Sequence, residues 1–324
     1  MTDITRRRLL AGTALVAGAG TLVDPLAAAA PPAGAQVPGL YRYKVGDFEL
    51  TAIYDGVWYR PIDDKFVRNA AYGDVQRAMA DAFMPAEKLA TPFTTLLVNT
   101  GAKLILLDTG TGGQVAPTAG TLAQNLAAAG VDPKSIDTVV ISHFHPDHIN
   151  GIKNKDNGRV FPNAEIMVPA PEWEFWMDDA NLRAAPGGLK GVFLNFRRVF
   201  ADIAEDVTRY QPGIEVATGL ATIPAYGHTP GHTVFALQSG RESILVLSDT
   251  TQHPALFARH PEWQPAFDID GPLAVATRKK LLDRVAADRM LVTGYHFPFP
   301  ACGHIVKTAG GYEHVPLLWN TDVR

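Results

Sequence analysis

The chain of 324 residues contains a single cysteine, Cys302, and lacks a basic segment of the size that binds nucleic acid. One thiol cannot form an internal disulfide, so the fold has to be stabilised by a hydrophobic core, which a chain of this length can build. Lysine and arginine number 29 against 33 aspartates and glutamates, giving a net charge of -4. This balance predicts a small-molecule substrate as the partner and no nucleic-acid binding.

Long apolar runs are also scarce, and the one that stands out lies near the start of the sequence. Three arginines at residues 6–8 precede an apolar stretch at residues 9–23, which is followed by alanines at residues 27–30. This pattern is typical of a cleaved secretory signal, and the adjacent arginines resemble the twin-arginine type. A membrane anchor is the alternative, but the run is shorter than the roughly 20 residues that span a bilayer.

We therefore predict a signal peptide over residues 1–30, a linker over residues 31–39 and a single domain over residues 40–324. The expected location is the periplasm or the exterior, without stable membrane insertion after cleavage. The sequence leaves open whether the protein forms a homodimer.

Apolar periodicity predicts alternating strands and helices in this domain. Residues 122–129, 192–203 and 273–287 have helical spacing, and Gly130 follows the first of these helices. Strands are predicted at residues 48–54, 95–98, 103–107, 138–141, 165–168, 220–223, 234–237, 244–247 and 290–292. This mixture indicates sheets covered by helices within one α/β domain.

A cluster of metal-binding side chains follows the predicted strand at residues 138–141. The segment His143-Phe144-His145-Pro146-Asp147-His148 supplies three imidazoles and a carboxylate. Such ligands suit zinc, and His143 and His145 can bind one ion while Asp147 and His148 bind a neighbouring ion. A solvated His-rich loop is the alternative, but polar clusters at strand ends are commonly functional.

The motif His143-x-His145-x-Asp147-His148 resembles the metal-binding signature of the metallo-β-lactamase superfamily. The resemblance runs from about residue 50 to the end of the chain. It implies an αββα sandwich, in which two mixed β-sheets are flanked by helices. It also implies two divalent metal ions as cofactors, with zinc as the favoured identity.

The resemblance implies further ligands downstream. In Gly227-His228-Thr229-Pro230-Gly231-His232 the second histidine is the expected ligand, which assigns His232 to the ion of His143 and His145. His228 is then expected to support the ligands without binding the metal. Asp249, at the end of the strand over residues 244–247, is expected to bridge both ions, with a turn cap as the alternative.

Two histidines compete for the last ligand position. His296 directly follows a predicted strand, the position expected of the last ligand, whereas His304 lies beyond two prolines and a glycine. We therefore predict His296 as the ligand and give His304 a supporting role near the pocket mouth. Cys302 offers a soft ligand, but a packed thiol is the expected outcome.

Supporting and pocket residues complete the predicted site. Asp108, in Asp108-Thr109-Gly110, resembles the family's Asp-Thr-Gly turn and is expected to hydrogen-bond a ligand histidine. An apolar pocket wall is predicted from four aromatic residues, Trp173, Phe175, Trp176 and Phe299. Ordinary packing of a helix is the alternative for the first three of them.

The predicted reaction is hydrolysis. No Gly-x-Ser-x-Gly motif is present, so the nucleophile is expected to be a hydroxide that bridges the two ions, with Asp147 and Asp249 as the catalytic carboxylates. The block His296-x-x-Phe299-Pro300-x-x-Gly303-His304 looks most like the methyl parathion hydrolase group and its lactone- and ester-hydrolysing relatives.

This resemblance implies cleavage of ester or lactone bonds, with phosphotriesters as the alternative substrates. A β-lactamase and an iron-dependent redox enzyme are less favoured. One departure concerns the lactonases: known acyl-homoserine lactonases carry a tyrosine three residues after the bridging aspartate, where this chain has Gln252.

Overall fold

The computed structural model describes residues 33–323. The predicted signal peptide, residues 1–30, lies outside the described residues, as do the first two residues of the predicted linker. The chain from Pro38 onward forms one compact unit. Among the described residues, no helix has the length and apolarity needed to cross a membrane.

Two seven-stranded sheets form the centre of this unit. The first sheet contains, in spatial order, β1 (Leu40–Val45), β2 (Phe48–Pro61), β3 (Lys88–Asn99), β4 (Leu104–Leu107), β5 (Thr138–Val140), β6 (Glu165–Pro169) and β7 (Thr208–Tyr210). Strands β1 to β4 pair antiparallel, whereas β4 to β7 pair parallel. The sheet is therefore mixed.

The second sheet is also mixed. It contains, in chain order, β8 (Glu215–Ala217), β9 (Leu220–Pro224), β10 (Thr233–Ser239), β11 (Glu242–Val246), β12 (Leu291–Thr293), β13 (Cys302–Lys307) and β14 (Tyr312–Pro316). Each strand is the spatial neighbour of the next. Only β11 and β12 pair parallel within this sheet.

Eight α-helices and two short 3-10 helices are present among residues 33–323. The α-helices are α1 (Tyr72–Asp81), α2 (Leu122–Ala128), α3 (Pro146–Ile149), α4 (Ala170–Met177), α5 (Asp179–Ala184), α6 (Gly187–Phe200), α7 (Pro254–Phe257) and α8 (Gly271–Ala287). The 3-10 helices are Pro133–Ser135 and Asn150–Ile152.

Three apolar layers hold these elements together. Leu50 and Phe235 belong to a cluster between the two sheets, and α2, α4 and α6 cover the outer face of the first sheet. Helix α8 covers the second sheet through Leu282 and Val285. The predicted αββα sandwich with two mixed sheets is therefore confirmed.

Cys302 belongs to the cluster between the sheets and is completely buried. Burial raises the pKa of its thiol to about 12, so the thiol stays protonated and packs as a small apolar group.

The sequence did not predict the strands β1, β7, β8, β13 and β14 or the helices α1, α3, α5 and α7. Strand β13 begins directly after a segment rich in proline and includes Gly303, two features that favour a loop. Pairing with β12 and β14 forms this strand, which is a tertiary effect that local sequence does not record.

Candidate metal centre

The ends of four strands deliver the predicted site residues to one place. Asp108 follows β4, and the segment beginning at His143 follows β5, which runs parallel to β4. In the second sheet Asp249 follows β11, and His296 follows the parallel strand β12. Because the carboxyl ends of parallel neighbours meet at one sheet edge, both sheets present their ligand-bearing turns together.

Two of these turns contain strained backbone. Asp108 has a φ of 60° and Ser248 has a φ of 45°, in the left-handed region that non-glycine residues rarely adopt. Strain of this kind is concentrated at functional sites, where the surrounding structure enforces it. At both positions it turns the chain sharply at the end of a strand and aims a carboxylate towards the histidines.

The first group of potential ligands consists of His143, His145, His228 and Asp249, whose donor atoms lie within 4.8 Å of one another. His145 Nδ1 lies 3.1 Å from His143 Nε2 and 2.9 Å from His228 Nε2. Three imidazole nitrogens therefore converge next to a carboxylate, which is a donor set suited to a divalent ion such as zinc.

The second group consists of Asp147, His148 and His296, also within 4.8 Å of one another. Asp147 Oδ2 lies 3.5 Å from Nε2 of each of the two histidines. Helix α3 begins at Pro146, so one short turn presents Asp147 and His148 to the same point.

Asp249 connects the two groups. Its Oδ1 lies 3.2 Å from His148 Nε2, and its Oδ2 lies 3.0 Å from His296 Nε2 and 3.3 Å from His228 Nε2. Oδ1 thus faces the second group, whereas Oδ2 lies near histidines of both groups. A carboxylate that contacts both groups is placed to bridge two ions.

Acceptors outside the groups hold the other ring nitrogen of three histidines. The contacts are His148 Nδ1 to Asp108 Oδ2 at 2.8 Å, His228 Nδ1 to Asp268 Oδ1 at 2.8 Å and His296 Nδ1 to the Pro92 carbonyl at 2.9 Å. An acceptor at Nδ1 fixes the proton there and leaves the Nε2 lone pair for a metal.

Two buried atoms of the site have no hydrogen-bond partner among the described residues, His148 Nε2 and Asp249 Oδ1. An unsatisfied buried nitrogen and carboxylate oxygen cost free energy unless something binds them. A cation between these two atoms satisfies both, so the donor set fits a metal centre.

The electrostatics of the site favour neutral imidazoles at some positions and charged ones at others. Burial lowers the pKa of His143 and His145 well below the usual value, and neighbouring histidines lower it further. Burial also acts to lower the pKa of His228, but hydrogen bonds with Asp249 and Asp268 outweigh it and raise this pKa to about 9. A metal ion bound by His228 therefore has to displace a proton.

The structure reverses the sequence-based choice between His228 and His232. His232 Nδ1 lies 2.9 Å from the Ala225 carbonyl, and the backbone N–H of Asp249 donates to His232 Nε2 at 3.1 Å. Both of its nitrogens are thus used, which lowers its capacity to bind an ion. His228, expected to be a supporting residue, instead belongs to the first group.

His304 also departs from its predicted role. It lies in β13, its Nδ1 is 3.0 Å from the Met290 carbonyl, and it lines a separate hollow beside α8. The antiparallel pairing of β13 with β12 places His304 opposite Leu291, at the end of β12 away from His296. His304 therefore belongs to neither group of potential ligands and does not line the cavity next to them.

A cavity of about 550 Å³ opens above the two groups. His145, Asp147, His228, Asp249 and His296 form its polar side. Its apolar side is formed by Trp58, Phe93, Trp176, Leu189, Val192, Phe267 and Ile269. Its size and apolar lining are typical of a site for a small molecule.

Of the four aromatic residues predicted for the pocket wall, only Trp176 lines this cavity. Trp173 packs 5.4 Å from the ring of Phe200, and Phe175 packs on Trp176 with the ring centres 4.9 Å apart. These two side chains belong to the layer between α4 and α6, so the alternative of ordinary helix packing is correct for them. Phe299 lines a different hollow and contacts Tyr54.

Sequence reasoning missed Glu172, a fully buried carboxylate on α4. It accepts hydrogen bonds from the backbone N–H of Phe144 at 3.0 Å, the backbone N–H of Gly231 at 2.6 Å and Trp176 Nε1 at 2.8 Å. It thereby ties together the two loops that carry His143 and His228. The sequence around Glu172 offered no signal, because its partners are distant along the chain.

Comparisons with known proteins give matches over much of the chain. Residues 92–295 match the family model described as the metallo-beta-lactamase superfamily. The chain is 29% identical over 204 residues to the N-acyl homoserine lactonase AttM of Azorhizobium caulinodans, covering 60% of this chain and 69% of AttM. The match to two probable metallo-hydrolases of Mycobacterium bovis and Mycobacterium tuberculosis spans only 56% of their length.

Solved structures resemble the fold over most of the chain. The dizinc quorum-quenching lactonase AidC, solved with a product bound, has a TM-score of 0.82 and 29% identity, covering 88% of this chain and 99% of AidC. The hydrolase AbOPH of the beta lactamase superfamily has a TM-score of 0.82 and 30% identity, covering 88% of this chain and 100% of AbOPH.

Proposed function

The chain belongs to the metallo-β-lactamase superfamily, and from this membership we propose that it is a dizinc lactonase that opens N-acyl homoserine lactones. One observation carries the proposal: two groups of ligands share Asp249 at the polar side of a cavity that also has a large apolar side. The carbonyl group of a lactone ring can bind at the polar side, where the ligands lie, and an acyl chain can pack against the apolar side. The likeness to AidC and AttM supports the lactone as the substrate.

We assign the ligands of this centre from the geometry described above. His143, His145 and His228 would hold one ion, Asp147, His148 and His296 would hold the other, and Asp249 would bridge them. Two divalent ions held in this way would lower the pKa of a bound water to about 7 and would polarise a carbonyl oxygen.

Asp147 differs from the other ligands because its side chain remains partly exposed, at 16%, and lines the cavity. We infer that it can also carry a proton from the attacking water to the leaving alkoxide. The Tyr295 hydroxyl donates to the Asp147 carbonyl at 2.6 Å and holds this turn in place.

Gln252, which replaces the tyrosine of known acyl-homoserine lactonases, lies in the cavity wall. Its Nε2 donates a hydrogen bond to Asp249 Oδ2. We infer that this residue orients the carboxylate of Asp249.

A substrate panel tests the proposal. Zinc-loaded protein should be assayed on an N-acyl homoserine lactone, an aryl ester, a phosphotriester and a cephalosporin. We expect kcat/KM for the lactone to exceed the other values by about 100-fold, a discrimination that a fitted pocket with polar contacts can supply. The acid released by ring opening can be followed by titration at constant pH.

The same protein treated with a chelator, and then resupplied with zinc, serves as the control. Preferred turnover of the phosphotriester would replace the lactonase assignment with organophosphate hydrolysis. Preferred turnover of the cephalosporin would replace it with β-lactam hydrolysis.

A further inference from the structure

One wall of the cavity is formed by the ends of β2 and β3. Trp58 and Arg60 are two residues apart on β2, so both side chains lie on the same face of the strand. The neighbouring strand β3 adds Thr91 and Phe93, and all four residues line the cavity. Arg60 is thus a cationic side chain in a wall that is otherwise mainly apolar.

Aromatic rings hold the guanidinium of Arg60 in place. Its central carbon lies 5.3 Å from the ring centre of Trp58, 5.4 Å from that of Phe66 and 4.9 Å from that of Phe267. Cation–π contacts of this length stabilise the charge and restrict the side chain. They use the face of the guanidinium, whereas its N–H donors lie around the edge.

These donors have no recorded partner in the part of the chain that the structure describes. Among residues 33–323, Arg60 makes no hydrogen bond and no ion pair that the structure records. Burial lowers the pKa of Arg60, while attraction to Asp147 and Asp63 acts in the opposite direction. A half-buried guanidinium with free N–H groups can donate hydrogen bonds to an oxygen atom of a ligand that enters the cavity.

Arg68 provides a contrast in the same cavity. Its Nη1 donates to the Asp268 carbonyl at 2.8 Å, and its Nη2 donates to the Ala266 carbonyl. Arg68 therefore holds the loop that carries Asp268, and its donors are in use. The cavity contains one arginine that fixes the protein and one that is free to contact a substrate.

We propose that Arg60 binds an acceptor oxygen of the substrate, a carbonyl or carboxylate oxygen outside the bond that is cleaved. The proposal rests on the proposed function, since it assumes that the scissile group lies against the metal centre. Asp147 and Arg60 line the same cavity, so a molecule that contacts the centre through one group can reach Arg60 through another. The preferred substrates are then esters or lactones with an acylamino or acidic substituent.

The test uses ligands that the enzyme does not cleave, so it does not depend on turnover. Three carboxylic acids of equal chain length should be compared on the zinc-loaded protein by calorimetry: one with a 2-alkyl group, one with a 2-acylamino group and one with a carboxylate at the end of the side chain. We expect at least one of the two acceptor-bearing acids to bind about tenfold more tightly than the 2-alkyl acid. Tighter binding of the 2-acylamino acid identifies the acceptor as a carbonyl oxygen, and tighter binding of the acid with a terminal carboxylate identifies it as a carboxylate oxygen.

Arg60→Met should reduce this ratio to within about twofold, and Arg60→Lys should retain part of it because the charge remains without the planar fork. Arg284→Met is the control, since it removes the same charge from an exposed position on α8 outside the cavity. It should preserve the preference for the acceptor. Bound zinc and the melting temperature of each variant show whether the centre and the fold are intact.

A ratio that remains at the wild-type value in Arg60→Met overturns the assignment, as does an equal loss in Arg284→Met. The absence of any preference in the wild-type protein overturns it too. If the preference is present and lost with Arg60, but no lactone is hydrolysed, the lactonase proposal fails while the assignment of Arg60 stands.

Discussion

Replacement of Asp249 by alanine is expected to remove both metal ions and to lower turnover by about 1000-fold or more, beyond the 10- to 100-fold typical of residues next to the ligands. The reason is its position between the groups: Oδ1 lies 3.2 Å from His148 Nε2 of the second group, and Oδ2 lies 3.3 Å from His228 Nε2 of the first. No other carboxylate among residues 33–323 contacts both groups of ligands in this way. Elemental analysis and turnover of the purified variant measure the two effects.

Two further variants test whether the loss of metal and turnover is specific to the carboxylate of Asp249. Asp249→Asn retains one carbonyl oxygen and should keep partial occupancy. Asp288→Ala removes an exposed carboxylate from the end of α8 and should match the wild-type protein in both measurements. If Asp249→Ala retained two ions and full turnover, the bridging role would have to be assigned to another residue.

The second prediction distinguishes a metal-binding role for His228 from a supporting role for His232. His228→Ala should lower the metal content by about one ion per chain and cut turnover by orders of magnitude, because its Nε2 lies 2.9 Å from His145 Nδ1 and 3.3 Å from Asp249 Oδ2. His232→Ala should cost about 10- to 100-fold in turnover, as supporting residues do. It should also lower the melting temperature, since the imidazole bonds to the Ala225 carbonyl and the Asp249 backbone.

Metal stoichiometry, turnover and thermal unfolding should be measured for both variants under the same metal buffering. The reverse pattern, with an ion lost only in His232→Ala, would restore the assignment that the sequence favoured. His260→Ala changes a histidine outside both ligand groups and controls for the purification.

The sequence predicted the parts of the site in which neighbours along the chain act together. His143, His145, Asp147 and His148 follow one strand within a short segment, so their proximity needs no knowledge of the tertiary fold. Asp249 follows a strongly apolar segment whose end is easy to recognise. Strands β2 to β6 and β9 to β12 and the two long helices, α6 and α8, were predicted for the same reason, because their periodicity is local.

The choice between His228 and His232 could not be made from local sequence. Both residues belong to one tight turn, and the direction of each ring depends on distant acceptors. Asp268, forty residues further along, holds His228 Nδ1, whereas the Ala225 carbonyl and the Asp249 backbone hold His232. Tertiary contacts of this kind produce no periodic pattern in the amino-acid sequence.

The substrate pocket was the least predictable part. Its wall combines Trp58 and Phe93 from neighbouring strands with Phe267 from a loop near the other sheet. The aromatic run on α4 misled the prediction, because Trp173 packs against Phe200 of α6 although it lies only three residues from Trp176. Only the second of these side chains reaches the cavity.

The most direct test of the account is a titration of metal-free protein with zinc, followed by turnover of the substrate that the panel identifies. Two groups of ligands that share Asp249 predict that turnover is absent without metal and reaches its plateau at about two zinc ions per chain. A plateau at one ion, or turnover that persists in the chelated protein, would contradict the two-ion mechanism.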